Sequence, residues 1–172
     1  HVLVLSKPAN KLITNLSKYA SNSVNAVVLV CVTTMLAAFL NWGLGLIFGA
    51  ILARKVGEHA QRNNIAINYP LVGAAGYSGL MVWHGGISGS APIKVAENGH
   101  LAGLMQGVSS EEIMAQLPQS VNFDATVFSW WNLVLFGILL VVIPFALTRI
   151  AKTTKSTKIQ LEEYKFDKNS TE

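Results

Sequence analysis

"NWGLGLIFGA", residues 41–50, lies at the centre of a run with no charged side chain between residues 19 and 53. An asparagine, a tryptophan and three glycines there suit an uninterrupted helix poorly, because glycine lowers helix propensity and widens backbone freedom. As one straight helix the run of about 35 residues would exceed ~50 Å, against a bilayer core of about 30 Å. It reads as two short arms that turn at Asn41-Trp42-Gly43. Glycine also serves ordinary membrane helices, where Gly45-x-x-x-Gly49 lets a neighbour pack closely, and that reading stands beside the first.

The rest of the chain decides which solvent this run meets. Of 172 residues, 51% are hydrophobic and only 13% charged. The charges fall outside three uncharged runs, residues 19–53, 63–93 and 125–148. Each run exceeds the roughly 20 residues that cross a bilayer, and a water-soluble domain would spread its charges more evenly. The fold class is all-α and integral to a membrane, with the lipid bilayer as a partner. The net charge of +4 does not point to nucleic acid, because the basic residues flank the apolar runs. A single cysteine, Cys31, rules out a disulfide framework within the chain.

The flanking charges report orientation. Lys7, Lys11 and Lys18 precede the first run, and Arg54, Lys55 and Arg62 follow it. Beyond the second run, Lys94 faces Glu97, Glu111, Glu112 and Asp124; beyond the third come Arg149, Lys152, Lys155 and Lys158. By the positive-inside rule the pattern is in, in, out, in. The first run then enters and leaves by one face as a re-entrant hairpin, while the second and third cross once each.

The second run contains "HGGISGSAP", residues 84–92, whose three glycines and proline oppose a continuous helix. It reads as a half-helix, an unwound peptide and a second half-helix. Unwound backbone persists in a membrane only where protein, water or a ligand satisfies its polar groups. Discontinuous helices and hairpin tips that meet near the midplane are the binding elements of many secondary transporters. Packing or local backbone bonding is the competing role for Ser88 and Ser90. Gly86-Ile87-Ser88-Gly89 also matches the G-x-S-G of intramembrane serine proteases, yet the third run supplies no histidine base. His84 is the side chain within the three runs that titrates near neutral pH, and it suits either a proton-linked role or a neutral hydrogen-bonded one.

Residues 1–23 read as the end of a preceding span and an interfacial amphipathic helix with Leu12, Ile13, Leu16 and Tyr19 on one face. Residues 24–56 form the hairpin, 57–69 a cytoplasmic loop, and 70–96 the broken transmembrane helix. Residues 97–126 make an external loop with one short helix begun at Ser109 or Ser110. A transmembrane helix occupies 127–149, anchored by Trp130 and Trp131 and open to a kink at Pro144, and residues 150–172 are a cytoplasmic linker. The chain opens on His1 and is read as part of a longer protein.

"NWGLGLIFGAILARKV" (41–56), "YPLVGAAGYSGLMVWHGGISGSAPI" (69–93) and "IPFALTR" (143–149) resemble the short-chain fatty acid transporter family over residues 2–149. The resemblance implies uptake of acetoacetate, butyrate or similar small monocarboxylates by a multi-pass protein of the inner (cytoplasmic) membrane. The family is similar to a wider ion transporter group built from two inverted repeats, each with a re-entrant hairpin and a broken helix. This chain would be the first-repeat portion and the missing half of the same transporter its partner, with a homodimer among the possible assemblies. Carried over, Asn41, Trp42 and Gly43 would form the hairpin tip, and Gly85, Gly86, Ser88, Gly89 and Ser90 the unwound loop. His84 stands where small residues are expected. No cofactor, metal or enzymatic activity is implied, and the coupling ion would be Na+ or H+. An intramembrane serine protease and a non-transporting scaffold are the competing classes.

Overall fold

A computed structural model describes residues 7–161. The preceding span read at residues 1–5 and the last part of the C-terminal linker lie outside the described residues. The fold is all-helical: α1 (Lys7–Ser17), α2 (Ser23–Leu40), α3 (Trp42–Arg62) and α4 (Tyr69–Gly76) come first. Two 3₁₀ turns follow, Ser78–Met81 and Trp83–Gly85, then α5 (Ser90–Ala96), α6 (His100–Met105), α7 (Glu111–Gln116) and α8 (Trp130–Thr153). The described residues contain no strand, only an isolated antiparallel bridge between Ile67 and Thr157.

The 18 residues of α2 are apolar nearly all round, the pattern of a helix buried on several sides. It packs against α3, α4, the first 3₁₀ turn and α8, burying Val27, Val30, Cys31, Met35 and Ala38. Two glycines of α3 make this crossing possible. A Cβ on Gly45 would sit 2.5 Å from Ala38 Cα, and one on Gly49 would strike the Gly76 carbonyl oxygen. The small-residue spacing therefore serves close packing, while the helix break lies just before it.

Helices α2 and α8 are long and apolar enough to cross a membrane. The 24 residues of α8 span about 36 Å. The helix runs on through Pro144, and Val134, Ile138, Val141 and Phe145 are exposed along it, as suits a surface turned to lipid or to further transmembrane helices. The second run is wound differently from the expectation of one half-helix up to Trp83. Regular α-helix stops at Gly76 and the chain continues in tight turns. Ser78 Oγ donates to the Ala75 carbonyl at 2.7 Å, and a Cβ on Gly79 would come within 2.8 Å of Ala38 Cβ. The loop of residues 97–126 holds two short helices where one was expected. Along α1, Ile13 and Ser17 are buried while Leu12 stays exposed, as does Tyr19 just beyond the helix, because the helix meets α3 along a narrow i, i+4 stripe.

The ends of four helices are tied at one end of the bundle. Ser23 Oγ, at the start of α2, accepts from Asn68 N–H at 2.6 Å and lies 2.8 Å from Ser156 Oγ. Asn68 precedes α4 and its Nδ2 donates to Thr154 Oγ1 at 2.8 Å; Leu161 N–H, further on, donates to Gln61 Oε1 in the last turn of α3. Residues 154–161 are thus held against the bundle, a correction to the linker reading. Ser23→Ala leaves the Asn68 N–H and the Ser156 hydroxyl without this partner. We expect a loss of about 1–3 kcal/mol, read as a lower thermal midpoint in the full-length protein; an unchanged midpoint would mean that water satisfies both groups.

Candidate functional site

At the opposite end of the bundle the hairpin turns on one residue. Asn41 is extended (φ −152°, ψ 122°) and closes both helices. Its N–H donates to Ala37 O at the end of α2. Its carbonyl accepts from Gly45 N–H and its Oδ1 from Leu44 N–H, each at 2.9 Å. An asparagine is suited to this because its side chain caps a helix while its backbone ends another. Trp42 and Gly43 are therefore the first two residues of α3 and not part of the turn, which needs no positive φ.

The first N–H groups of a helix lack intrahelical partners. Trp42 N–H donates to Ser88 Oγ at 2.8 Å, and Asn41 serves Leu44 and Gly45, so Gly43 N–H has no partner among the described residues. The glycine break meets the tip at a second point, where Ile87 N–H donates to Phe39 O at 2.8 Å. Gly86 makes this docking possible: it is extended (φ −88°, ψ 176°), and a Cβ would strike the Phe39 carbonyl oxygen. Close approach, rather than backbone freedom, is what glycine supplies here. Gly85 and Gly89 are confined in the same way, by Asn132 Oδ1 and by the carbonyls of His84 and Gly86.

Ser90 and Pro92 do not belong to the unwound loop. They sit in the first turn of α5, where proline is tolerated because its missing N–H has no helical partner to lose. Gly89 is the residue before that helix, and Ser90 is exposed. The structure thus brings Asn41, Trp42, Gly43, Gly85, Gly86, Ser88 and Gly89 together and leaves Ser90 at the margin.

Asn132, in the first turn of α8, was missed in the sequence. Its Nδ2 donates to Gly85 O at 2.9 Å and to Val127 O at 2.8 Å, fastening the loop to α8. A lone amide in an apolar helix, the same signal that singled out Asn41, would have found it. Phe39 stacks on Phe136 at 4.5 Å. The tip is therefore level with the first two turns of α8 and not with its middle.

Aromatic rings flank this junction. Trp42 and Trp83 lie 5.7 Å apart, and the exposed His84 stacks on Trp83 at 3.9 Å. His84 also lines two clefts, of about 150 Å³ against Phe39, Phe136 and Leu139 and about 320 Å³ against Pro92, Val95 and Trp131. With Ser88 Oγ engaged by Trp42 and the His84 ring on Trp83, no serine–histidine dyad forms among the described residues. Nor do three metal-ligating side chains gather among them. The arrangement can offer donors to an anion. Gly43 N–H and Ser88 N–H carry no bond among the described residues, and Ser88 Oγ, which accepts from Trp42, keeps its own proton free to donate.

Comparison with known proteins bears on the family. The family model described as short chain fatty acid transporter matches residues 1–171. A protein of Escherichia coli (strain K12) is 32% identical over 178 residues, covering 98% of this chain and 36% of its own length. One of Haemophilus influenzae (strain ATCC 51907 / DSM 11121 / KW20 / Rd) is 31% identical over 147 residues, covering 84% of this chain and 30% of its own. Both are provisionally named short-chain fatty acid transporters. The chain spans about a third of the length of these relatives. No solved structure matches it.

Proposed function

This chain belongs to the short-chain fatty acid transporter family, and from that premise we propose that it forms part of a secondary transporter. The transporter carries acetoacetate, butyrate or similar small monocarboxylates across the cytoplasmic membrane, as a multi-pass protein. The observation that carries the site is the 2.8 Å hydrogen bond from Trp42 N–H to Ser88 Oγ, which joins the hairpin tip to the glycine break.

The hairpin is re-entrant in this reading. Its two ends and the basic residues Arg54, Lys55, Arg62, Arg149 and Lys152 share the tied end of the bundle, which the positive-inside rule places in the cytoplasm. From Arg54 back to Trp42 the apolar part of α3 covers about 18 Å, and in this reading the tip, level with the first two turns of α8, lies in the outer part of the bilayer. The carboxylate is held by Gly43 N–H, by the Ser88 N–H and hydroxyl, and by the Asn41 side-chain amide. Trp42 and Trp83 receive the acyl tail. No lysine or arginine lies in the three uncharged runs, so the substrate charge is balanced by a co-transported Na+ or H+, with His84 as the proton-linked candidate. The second repeat closes the other wall, and pairing of whole transporters as a homodimer is compatible with the exposed faces.

Uptake of labelled butyrate into proteoliposomes containing the full-length protein tests the assignment. Ser88→Ala removes a donor and the partner of Trp42 N–H, and we expect initial uptake to fall about tenfold; Asn41→Ala should lower it as well. Wild-type rates in both variants would sink the site. Imposing a Na+ gradient or a pH gradient separately identifies the coupling ion.

A further inference from the structure

At the tied end, away from the tip, α1 and the last turns of α3 enclose a cleft of about 190 Å³ lined by Thr14, Ser17, Lys18, Lys55, Glu58 and Arg62. It has room for roughly six waters at about 30 Å³ each. Its single carboxylate is already engaged. Glu58 accepts from Arg54 Nε at 3.2 Å and from Lys55 Nζ at 2.9 Å. Burial alone would push the Glu58 carboxyl up, but the hydrogen bonds and charges of Lys55 and Arg54 outweigh it and hold it below the usual carboxylate range. Lys18 donates only to Asn15 Oδ1, and among the described residues neither Lys18 nor Arg62 meets a carboxylate. The cleft therefore keeps an excess of positive charge.

We propose that this cleft binds the phosphodiester headgroup of an anionic phospholipid from the cytoplasmic leaflet. Three observations select a lipid over a soluble anion. The cleft lies at the basic end of the bundle, where a phosphate layer is the adjacent surface. One wall is the amphipathic helix α1, and Leu12 and, just beyond it, Tyr19 stay exposed for acyl chains beside the headgroup. Lys18 and Arg62 are long, exposed side chains on the two facing walls, able to close on one phosphate from both sides. The lipid would pin α1 to α3, beside the base of the hairpin. This rests on the membrane placement proposed above and not on the identity of the transported acid.

The test uses the purified full-length protein in neutral detergent micelles, with phosphatidylglycerol, phosphatidylcholine or inorganic phosphate added. We expect phosphatidylglycerol to raise the thermal midpoint where phosphatidylcholine does not, and Lys18→Ala with Arg62→Ala to require roughly tenfold more of it. Lys94→Ala, at the other end of the bundle, should respond as wild type. Native mass spectrometry of the wild-type protein, which needs no variant to fold, should retain phosphatidylglycerol in preference to phosphatidylcholine. An equal response to both lipids, an unaltered response in the double variant, or a full shift with inorganic phosphate alone would each overturn the proposal. Butyrate uptake, measured separately, reports on the transport reading.

Discussion

Gly86→Ala is expected to cut butyrate uptake by the full-length protein about a hundredfold while the helical bundle stays folded. The added methyl would occupy the space of the Phe39 carbonyl oxygen, and Phe39 cannot retreat, because it sits in the last turn of α2 with its ring on Phe136. The loop must lift instead, breaking the Ile87-to-Phe39 and Trp42-to-Ser88 bonds together. Overpacking of this kind costs about 1–3 kcal/mol; falling wholly on the docked arrangement, the upper part of that range is about a hundredfold. Gly73→Ala, in α4 and outside the site, is the internal comparison. Its methyl would meet nothing within 4 Å, so uptake should change little. Equal activity in the two variants would show that docking of the loop on the tip is irrelevant to transport.

Asn132→Leu should destabilise the full-length protein by about 2–6 kcal/mol, from two carbonyls that lose a donor at about 1–3 kcal/mol each. The penalty is enforced by burial, since Gly85 is half-buried and Val127 buried, and a carbonyl shielded from water that loses its donor is left unsatisfied. Thermal unfolding in nanodiscs reads the loss. Asn132→Asp, similar in shape but unable to donate when ionised, should behave at least as badly. A wild-type midpoint in Asn132→Leu would mean that the loop is held from α2 alone.

The helical character of the chain and the interruption at Asn41 were legible because polarity inside an apolar run is costly and therefore informative. The economy of the break was not. Sequence suggested a three-residue turn, yet one asparagine ends α2 with its backbone and begins α3 with its side chain, a double use that residue type alone does not reveal. Ser90 and Pro92 misled for a related reason: proline breaks a helix interior but opens a helix easily. The early end of α4 at Gly76 comes from packing, through the contacts that Gly76 and Gly79 make with α3 and α2, and such contacts join residues far apart in the chain. Asn132 was within reach, by the logic already applied to Asn41.

The bond between Ser23 and Ser156 joins residues separated by 133 positions. A ribosome adding about 5–20 residues each second needs roughly 7 to 27 seconds to cover that distance. During that interval the first hairpin has been synthesised without its fastening residue, and Asn132, which secures the loop beneath the tip, also arrives late. Until α8 and the residues after it are made, the hairpin therefore lacks both its Ser156 and its Asn132 fastenings. Nascent chains halted before residue 130 should leave it accessible to proteases or chaperones that the finished protein excludes.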